Sequence, residues 1–265
     1  MALSDYALST LANANRFLGL TADGGDTDNY VELLVNRASE MVENYCNRKF
    51  KARLYTKERH NGTGQKIVYF DNPPVLSVCL DELVWTDSTK RVTRSDGGSF
   101  VTDGFSTGNN KVLVQNSDSN SGLKTLTAVN ADYLTFSDTI ATDSEDNNVT
   151  ISEVRSLWVG DDGVDKDNFD VLDDHIYYSA GFSEGHGNIK LTYYGGYKTI
   201  PDDLEQACLE VVQIFYEGNQ NIGNIQRERL GDHDIMYGTD SDRGVLSNVT
   251  MATKTILDKY RRIAV

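Results

Sequence analysis

The sequence predicts an α+β protein: a helical core of about four helices drawn from both chain ends, a β-hairpin, and an inserted, mostly antiparallel β-barrel or sandwich domain. Three observations predict it. Near both ends, apolar residues recur at three- and four-residue spacing, the period of a helix with one buried stripe. Between them the period falls to two, in short runs broken by Gly, Ser, Asn and Asp. The charge divides along the same line. Residues 81–190 hold 20 acids and 8 bases, a net of −12, whereas the rest of this −15 chain holds 20 acids and 17 bases, a net of −3. The expected organisation is a helical core of residues 1–80 and 189–265 around an acidic β-rich insert, 81–188.

Each element follows from local signals. Residues 4–18 read as a short helix with Leu8, Leu11, Phe17 and Leu18 apolar and Gly19 as its stop; its start is open between Ser4 and Thr10. After a polar turn, Asn29 is expected to cap a second helix, with Glu32 three residues on as a variant capping box. Val31, Leu34, Val35, Ala38, Met41, Val42 and Tyr45 share its apolar face. From Lys51 the period is two. Arg53–His60 and Lys66–Phe70 flank Asn61-Gly62-Thr63-Gly64 and read as a hairpin, and Val75–Leu83 as the next strand. Runs at 111–115, 124–129, 133–136 and 148–152 continue the strand pattern.

The strand 189–194 enters Gly195-Gly196, and Pro201 then opens a helix through Glu217, at a position where its missing N–H costs nothing. Asp202 and Asp203 face the positive end of that helix dipole. Leu204, Ala207, Cys208, Val211, Ile214 and Phe215 form its stripe. A long polar loop, 219–246, precedes a last helix of roughly 248–263, with Ile256, Leu257 and Tyr260 on one face and Lys259, Arg261 and Arg262 at its end.

Composition excludes several classes of function. A net charge of −15 disfavours nonspecific attachment to nucleic-acid phosphates or to anionic membranes. Residues 48–66 are the basic exception, with seven bases around a lone acid, Glu58. Bases on a hairpin edge serve to block edge pairing as readily as to touch phosphate. Cys46, Cys79 and Cys208 have no metal or disulfide spacing, and two lie on helix stripes, as buried thiols of a reduced compartment do. No signal peptide or membrane span is expected.

Motifs for chemistry are weak. Gly104-Phe105-Ser106-Thr107-Gly108 and Gly181-Phe182-Ser183-Glu184-Gly185 match Gly-x-Ser-x-Gly. A nucleophile elbow needs a strand before the serine and a helix after it, and both segments sit between β-runs, so they read as turns. Asp161, Asp165 and Asp167 are weak candidates for a cation, because their loop lacks the glycine and glutamate of a calcium-binding loop and reads as solvated acid. The four histidines show no HExxH and no Cys partner at ligand spacing. No catalytic residue, cofactor or bound metal is expected.

Taken together, the two ends carry a resemblance. Arg16-Phe17-Leu18-Gly19-Leu20, Tyr30-Val31-Glu32-Leu33-Leu34, Glu43 through Phe50, Asp71-Asn72-Pro73-Pro74-Val75, Gly196-Tyr197-Lys198-Thr199-Ile200-Pro201-Asp202-Asp203-Leu204, Arg229-Leu230-Gly231-Asp232 and a terminal Tyr260-Arg261-Arg262 occur in that order. The pattern resembles the head–tail connector (adaptor) family of tailed bacteriophages over about 1–80 and 189–265, and segments 99–108, 116–122, 126–136 and 149–151 resemble a β-module recurrent in phage virion proteins.

The resemblance implies a non-enzymatic ring of about twelve copies in the virion neck, assembled in the host cytoplasm. Its implied partners are the portal protein, a stopper or tail-completion protein, and further copies of itself. DNA passes through without specific binding, along an acidic wall that repels phosphate. The resemblance implies portal docking through the C-terminal segment; the partner-binding candidates are Arg227, Arg229, Lys254, Lys259, Tyr260, Arg261 and Arg262. The alternative reading is another virion module, a tail-completion or decoration protein whose β-insert binds a glycan.

Overall fold

The structure, a computed structural model, describes residues 2–107, 111–145, 148–220, 227–230, 233–236 and 249–262. The fold is α+β, with helices and antiparallel sheets in two compact units: Met1–Lys51 with Thr199–Val265, and Ala52–Lys198. The insert limits expected at 80/81 and 188/189 fall inside the second unit.

The first unit holds helices α1 (Leu11–Leu18), α2 (Asp26–Cys46), α3 (Asp202–Gln220) and α4 (Met251–Tyr260). Thr10 settles where α1 begins: its side chain accepts the N–H of Asn13, and Gly19 closes the helix at a φ of 69°. The second helix begins at Asp26, ahead of the cap expected at Asn29, which lies inside it. The reason is Asp28. Its carboxylate accepts the N–H groups of Asp23 and Gly24 and the Asn15 amide, so the turn before the helix is tied to the first turn of the helix itself. Asn47 in the left-handed conformation closes α2. Val31, Leu34, Val35, Ala38 and Val42 are buried, together with Leu204, Ala207, Val211 and Val212 of α3 and Leu257 of α4. Burial pushes the thiols of Cys46 and Cys208 up to about 12, so both stay protonated and inert near neutral pH.

Polar side chains on the helices hold the segments that flank them within this unit. Ser39 accepts the N–H of Leu8 at 3.0 Å, and buried Glu43 accepts the N–H of Phe50 at 3.2 Å and the Lys49 ammonium at 2.7 Å. Glu205 on α3 accepts Ser9 at 2.7 Å and Asn13 at 2.8 Å.

The second unit is built from strands β1 (Arg53–Gly62), β2 (Ile67–Tyr69), β3 (Ser77–Leu80), β4 (Leu83–Thr86), β5 (Arg91–Arg94), β6 (Lys111–Gln115), β7 (Gly122–Val129), β8 (Tyr133–Phe136), β9 (Asp143–Glu145), β10 (Val149–Ser152), β11 (Val154–Val159), β12 (Asp162–Gly163), β13 (Phe169–Val171), β14 (His175–Tyr178) and β15 (Gly185–Gly195). Residues 77–152 form one sheet, ordered β3-β10-β6-β7-β8-β5-β4-β9. Its first and last strands in the chain pair with each other, Leu80 opposite Val149 and Ser77 opposite Ser152. This segment therefore leaves and re-enters the chain at one place. Trp85, Val92, Phe100, Val112, Leu134, Phe136 and Ile151 form its core. The order runs open from β3 to β9, not closed into a barrel. Arg94 anchors the turn after β5, its guanidinium gripping Asp96 at 2.6 Å and Asp103 at 2.5 Å above the Phe100 ring.

The flanking strands form two further sheets, β1-β15-β11-β12 and β13-β14-β2, over a second core of Val68, Phe70, Leu157, Ile176, Phe182, Ile189, Leu191 and Tyr193. The hairpin expected between Arg53–His60 and Lys66–Phe70 does not form. Instead, β1 pairs with β15, and β2 pairs with β14. The long β15 offers β1 a partner over its whole length, from Gly195 opposite Arg53 to Gly185 opposite Gly62. Gly62 permits this closure, since a Cβ there would stand 1.8 Å from the Ser183 carbonyl oxygen.

Candidate interaction surface

The last helix and the two residues after it hold five of the seven sequence-predicted partner residues. Thr250 caps it by accepting the N–H of Thr253 at 3.1 Å, and both threonine hydroxyls donate to Glu210 of α3. Leu257 and Thr253 are buried. Tyr45 of α2 donates to Asp258 at 2.5 Å, and the Arg262 N–H reaches the Cys46 carbonyl at 2.9 Å.

Tyr260 turns inward. Its hydroxyl donates to Asp203 at 2.7 Å and its ring meets Phe50 edge-on at 5.9 Å. The Lys259 ammonium reaches the other Asp203 oxygen at 3.3 Å. Burial opposes the charge on Asp203, but hydrogen bonds from Tyr260 and Lys259 outweigh it and hold the carboxyl below its ordinary value. Asp203 thus does more than begin α3: it anchors the C-terminal end of α4. Lys254, Lys259, Arg261 and Arg262 remain exposed, with the Arg261 guanidinium 5.3 Å over the Tyr45 ring.

Arg227 and Arg229 lie on a strand, β16 (Arg227–Leu230), paired with β17 (His233–Met236), so this part of the expected loop is a hairpin. Their side chains, and the rest of the stretch from 221 to 248, lie outside the described residues. On the helical unit a hollow of about 590 Å³ is lined by Arg16 and Phe17 of α1 and Asp202, Glu205, Gln206 and Leu209 of α3. Phe17 is 40% exposed there.

The other candidates separate. Asp161 is exposed and pairs with Lys190 at 3.1 Å, while Asp165 lies 3.8 Å from Lys166. The side chain of Asp167 lies outside the described residues. Gly104 turns at a φ of 96° with Phe105 buried behind Ser106, and Asn188 donates to the Ser183 carbonyl at 2.8 Å. Among the described residues, both serines lie in connections between strands, and no α-helix follows either one before the next strand.

A cluster that sequence reasoning missed lies in the β unit. Glu58 and His60 stand on β1, and a bulge at Lys57, at a φ of 52°, sets their register against β15. His60 Nε2 is 3.0 Å from Glu58 Oε1, and Nδ1 is 3.5 Å from Asp71 Oδ1. The Tyr193 hydroxyl donates to Glu58 Oε1 at 2.8 Å and itself receives the Asn72 N–H at 3.3 Å. Tyr193 is fully buried, its ring stacked on Tyr55 and beside Phe70, and burial followed by the Glu58 charge drives its hydroxyl pKa strongly upward. The signal available in the sequence was the i, i+2 spacing of Glu58 and His60 on one strand. Asp71 could not be read that way, because it joins from beyond β2.

A second hollow in the same unit, about 350 Å³, is lined by Arg155, Trp158, Gly163, Asp165 and Lys166. The Trp158 ring lies against Gly163 and is 36% exposed.

No helix among the described residues is long and apolar enough to cross a membrane. No protein-family model matches the chain, and no curated protein matches it. Two solved structures are similar along its whole length. One is a chain in the neck of an empty gene transfer agent particle computed with C6 symmetry, with 13% identity, coverage of 100% of this chain and 95% of that one, and a TM-score of 0.39. The other is a chain in the virion of the native gene transfer agent particle, with 12% identity, coverage of 100% and 94%, and a TM-score of 0.39. A likeness of that size fixes neither the fold nor the function of this chain.

Proposed function

We propose that this protein is a structural head–tail connector, an adaptor forming a ring in the neck of a tailed-phage-type particle between a portal and a stopper or tail component. One observation carries the reading. The outer parts of the two chain ends that bear the resemblance, Met1–Lys51 and Thr199–Val265, fold together into a single helical unit, while residues 52–80 and 189–198 belong to the β unit. The last helix is fixed to that unit by Leu257, Tyr260 and Asp258, and it leaves Lys254, Arg261 and Arg262 exposed for an anionic partner. The acidic β insert suits a wall past which DNA moves without sticking.

Mixing the purified protein with purified portal and viewing the product by negative-stain microscopy tests the reading. Rings seated on the portal are expected. Monomeric protein beside bare portal rings, under every salt condition tried, would sink it. Lys254→Glu should weaken docking without loss of fold, because Lys254 is exposed.

The Trp158 hollow favours one other reading, a virion module that binds a glycan, since an exposed indole beside Arg155 and Asp165 is a suitable platform for a sugar face. Glycan-array binding by the full chain, lost in Trp158→Ala, would establish that role instead.

A further inference from the structure

We propose that Glu58, His60 and Asp71 form a binding site for one divalent transition-metal ion of the zinc class. The inference is independent of the connector reading. One donor atom from each of the three residues lies within 4.8 Å of the others. Ligands about 2.1 Å from a common ion stand roughly 3–4 Å apart, so small side-chain adjustments close the set. One imidazole nitrogen with two carboxylates suits zinc, cobalt(II) or manganese, while the nitrogen donor disfavours calcium and magnesium, which take oxygen ligands. Three protein ligands leave room for water to complete the shell.

The pairing within the cluster points the same way. Both ring nitrogens of His60 face carboxylate oxygens, Nε2 toward Glu58 at 3.0 Å and Nδ1 toward Asp71 at 3.5 Å. One ion takes one ring nitrogen, so the ring must turn within the cluster to bring both carboxylates to the same nitrogen. The contact to Asp71 exceeds the ordinary hydrogen-bond range of about 2.7–3.2 Å, so little holds that side chain against the ring.

The surroundings are built to hold the ligands. Tyr193 fixes Glu58 from a fully buried position, and the Asn72 N–H fixes Tyr193, a second layer of the kind that orients metal ligands. The site has a structural consequence. It joins β1 of one sheet to the segment leaving β2 of another, two strands that do not pair with each other. The ion would act as a staple between sheets.

The test uses the full chain without an affinity tag, freed of metal by chelator. Calorimetric titration with zinc should give one ion bound per chain, and zinc should raise the melting temperature of the native protein. Cobalt(II) should develop a visible ligand-field absorption. His60→Ala and Asp71→Asn should each weaken binding by roughly tenfold or more, whereas His175→Ala, whose ring pairs with Asp174, should leave it unchanged. Asp71 is the more exposed ligand, so Asp71→Asn keeps the test open if His60→Ala fails to fold. Absence of one-to-one zinc binding, or equal affinity in the native and Asp71→Asn proteins, overturns the proposal. So does a melting temperature that zinc leaves unmoved.

Discussion

The helical unit and the β unit solve the same problem, holding distant chain segments together, by different means. In the helical unit, carboxylates on α2 and α3 reach across long sequence separations to neutral or cationic donors. Glu205 holds the N-terminal segment, Glu210 the start of α4, and Asp203 its end. The β unit relies on two aromatic-rich cores and on strand pairing, with Trp85 and Phe136 stacked in one and Tyr55, Phe70 and Tyr193 in the other. Carboxylates bonded to hydroxyls, amides and N–H groups remain negative while still contributing to the fold. The difference separates roles: the helical unit can be dissected one polar contact at a time, whereas the β unit fails through its packing.

The comparison is tested most severely by Trp85→Ala. Removing a fully buried indole should destabilise by about 3–5 kcal/mol, read as a lower denaturation midpoint by circular dichroism. Leu257→Ala should cost about 2–4 kcal/mol in the same assay, because α4 is core and not an appendage. A cost as small as that of a surface substitution would place α4 outside the helical core. Tyr260→Phe keeps the ring contact with Phe50 and removes only the bond to Asp203, for a loss of about 1 kcal/mol. If Tyr260→Phe were neutral, the claim that carboxylate contacts hold this unit would fail at its best-defined member.

The smallest effect is on pH dependence in the β unit. The Arg94 guanidinium holds Asp96 at about 2, below the ordinary carboxylate value, so the folded state favours its ionised form. The resulting stability is complete above about pH 4 and lost as pH falls toward about 2. Solvent exposure of Asp96 limits the effect to less than about 1 kcal/mol. Asp96→Asn should flatten this part of the acid unfolding curve, and an unchanged slope would remove the pair from the account.

The helical unit was largely legible because its signals are local. Periodicity placed four helices, and errors were confined to ends, as at Asn29, where the Asp28 network pre-empted the expected cap. The β unit was legible as strands but not as sheets. The runs at 111–115 and 133–136 emerge as β6 and β8, yet nothing near β1 announces that its partner is β15, more than a hundred residues on. The glycine-rich segment after β1 mimics a hairpin turn, and only the length of β15 decides against it. The site residues follow the same logic. Exposed cations on α4 could be read from the helix end, whereas the inward turn of Tyr260 required Phe50 and Asp203 to be placed. Glu58, His60 and Asp71 come together only through long-range pairing.

The proposed role puts this helical unit in a ring at a particle neck. A reconstruction of the neck of the particle that carries the protein tests it most directly. A closed ring of copies next to the portal, with the last helix at the portal face, is expected. Density for the protein on the capsid exterior or at a tail tip, and none at the neck, would contradict it.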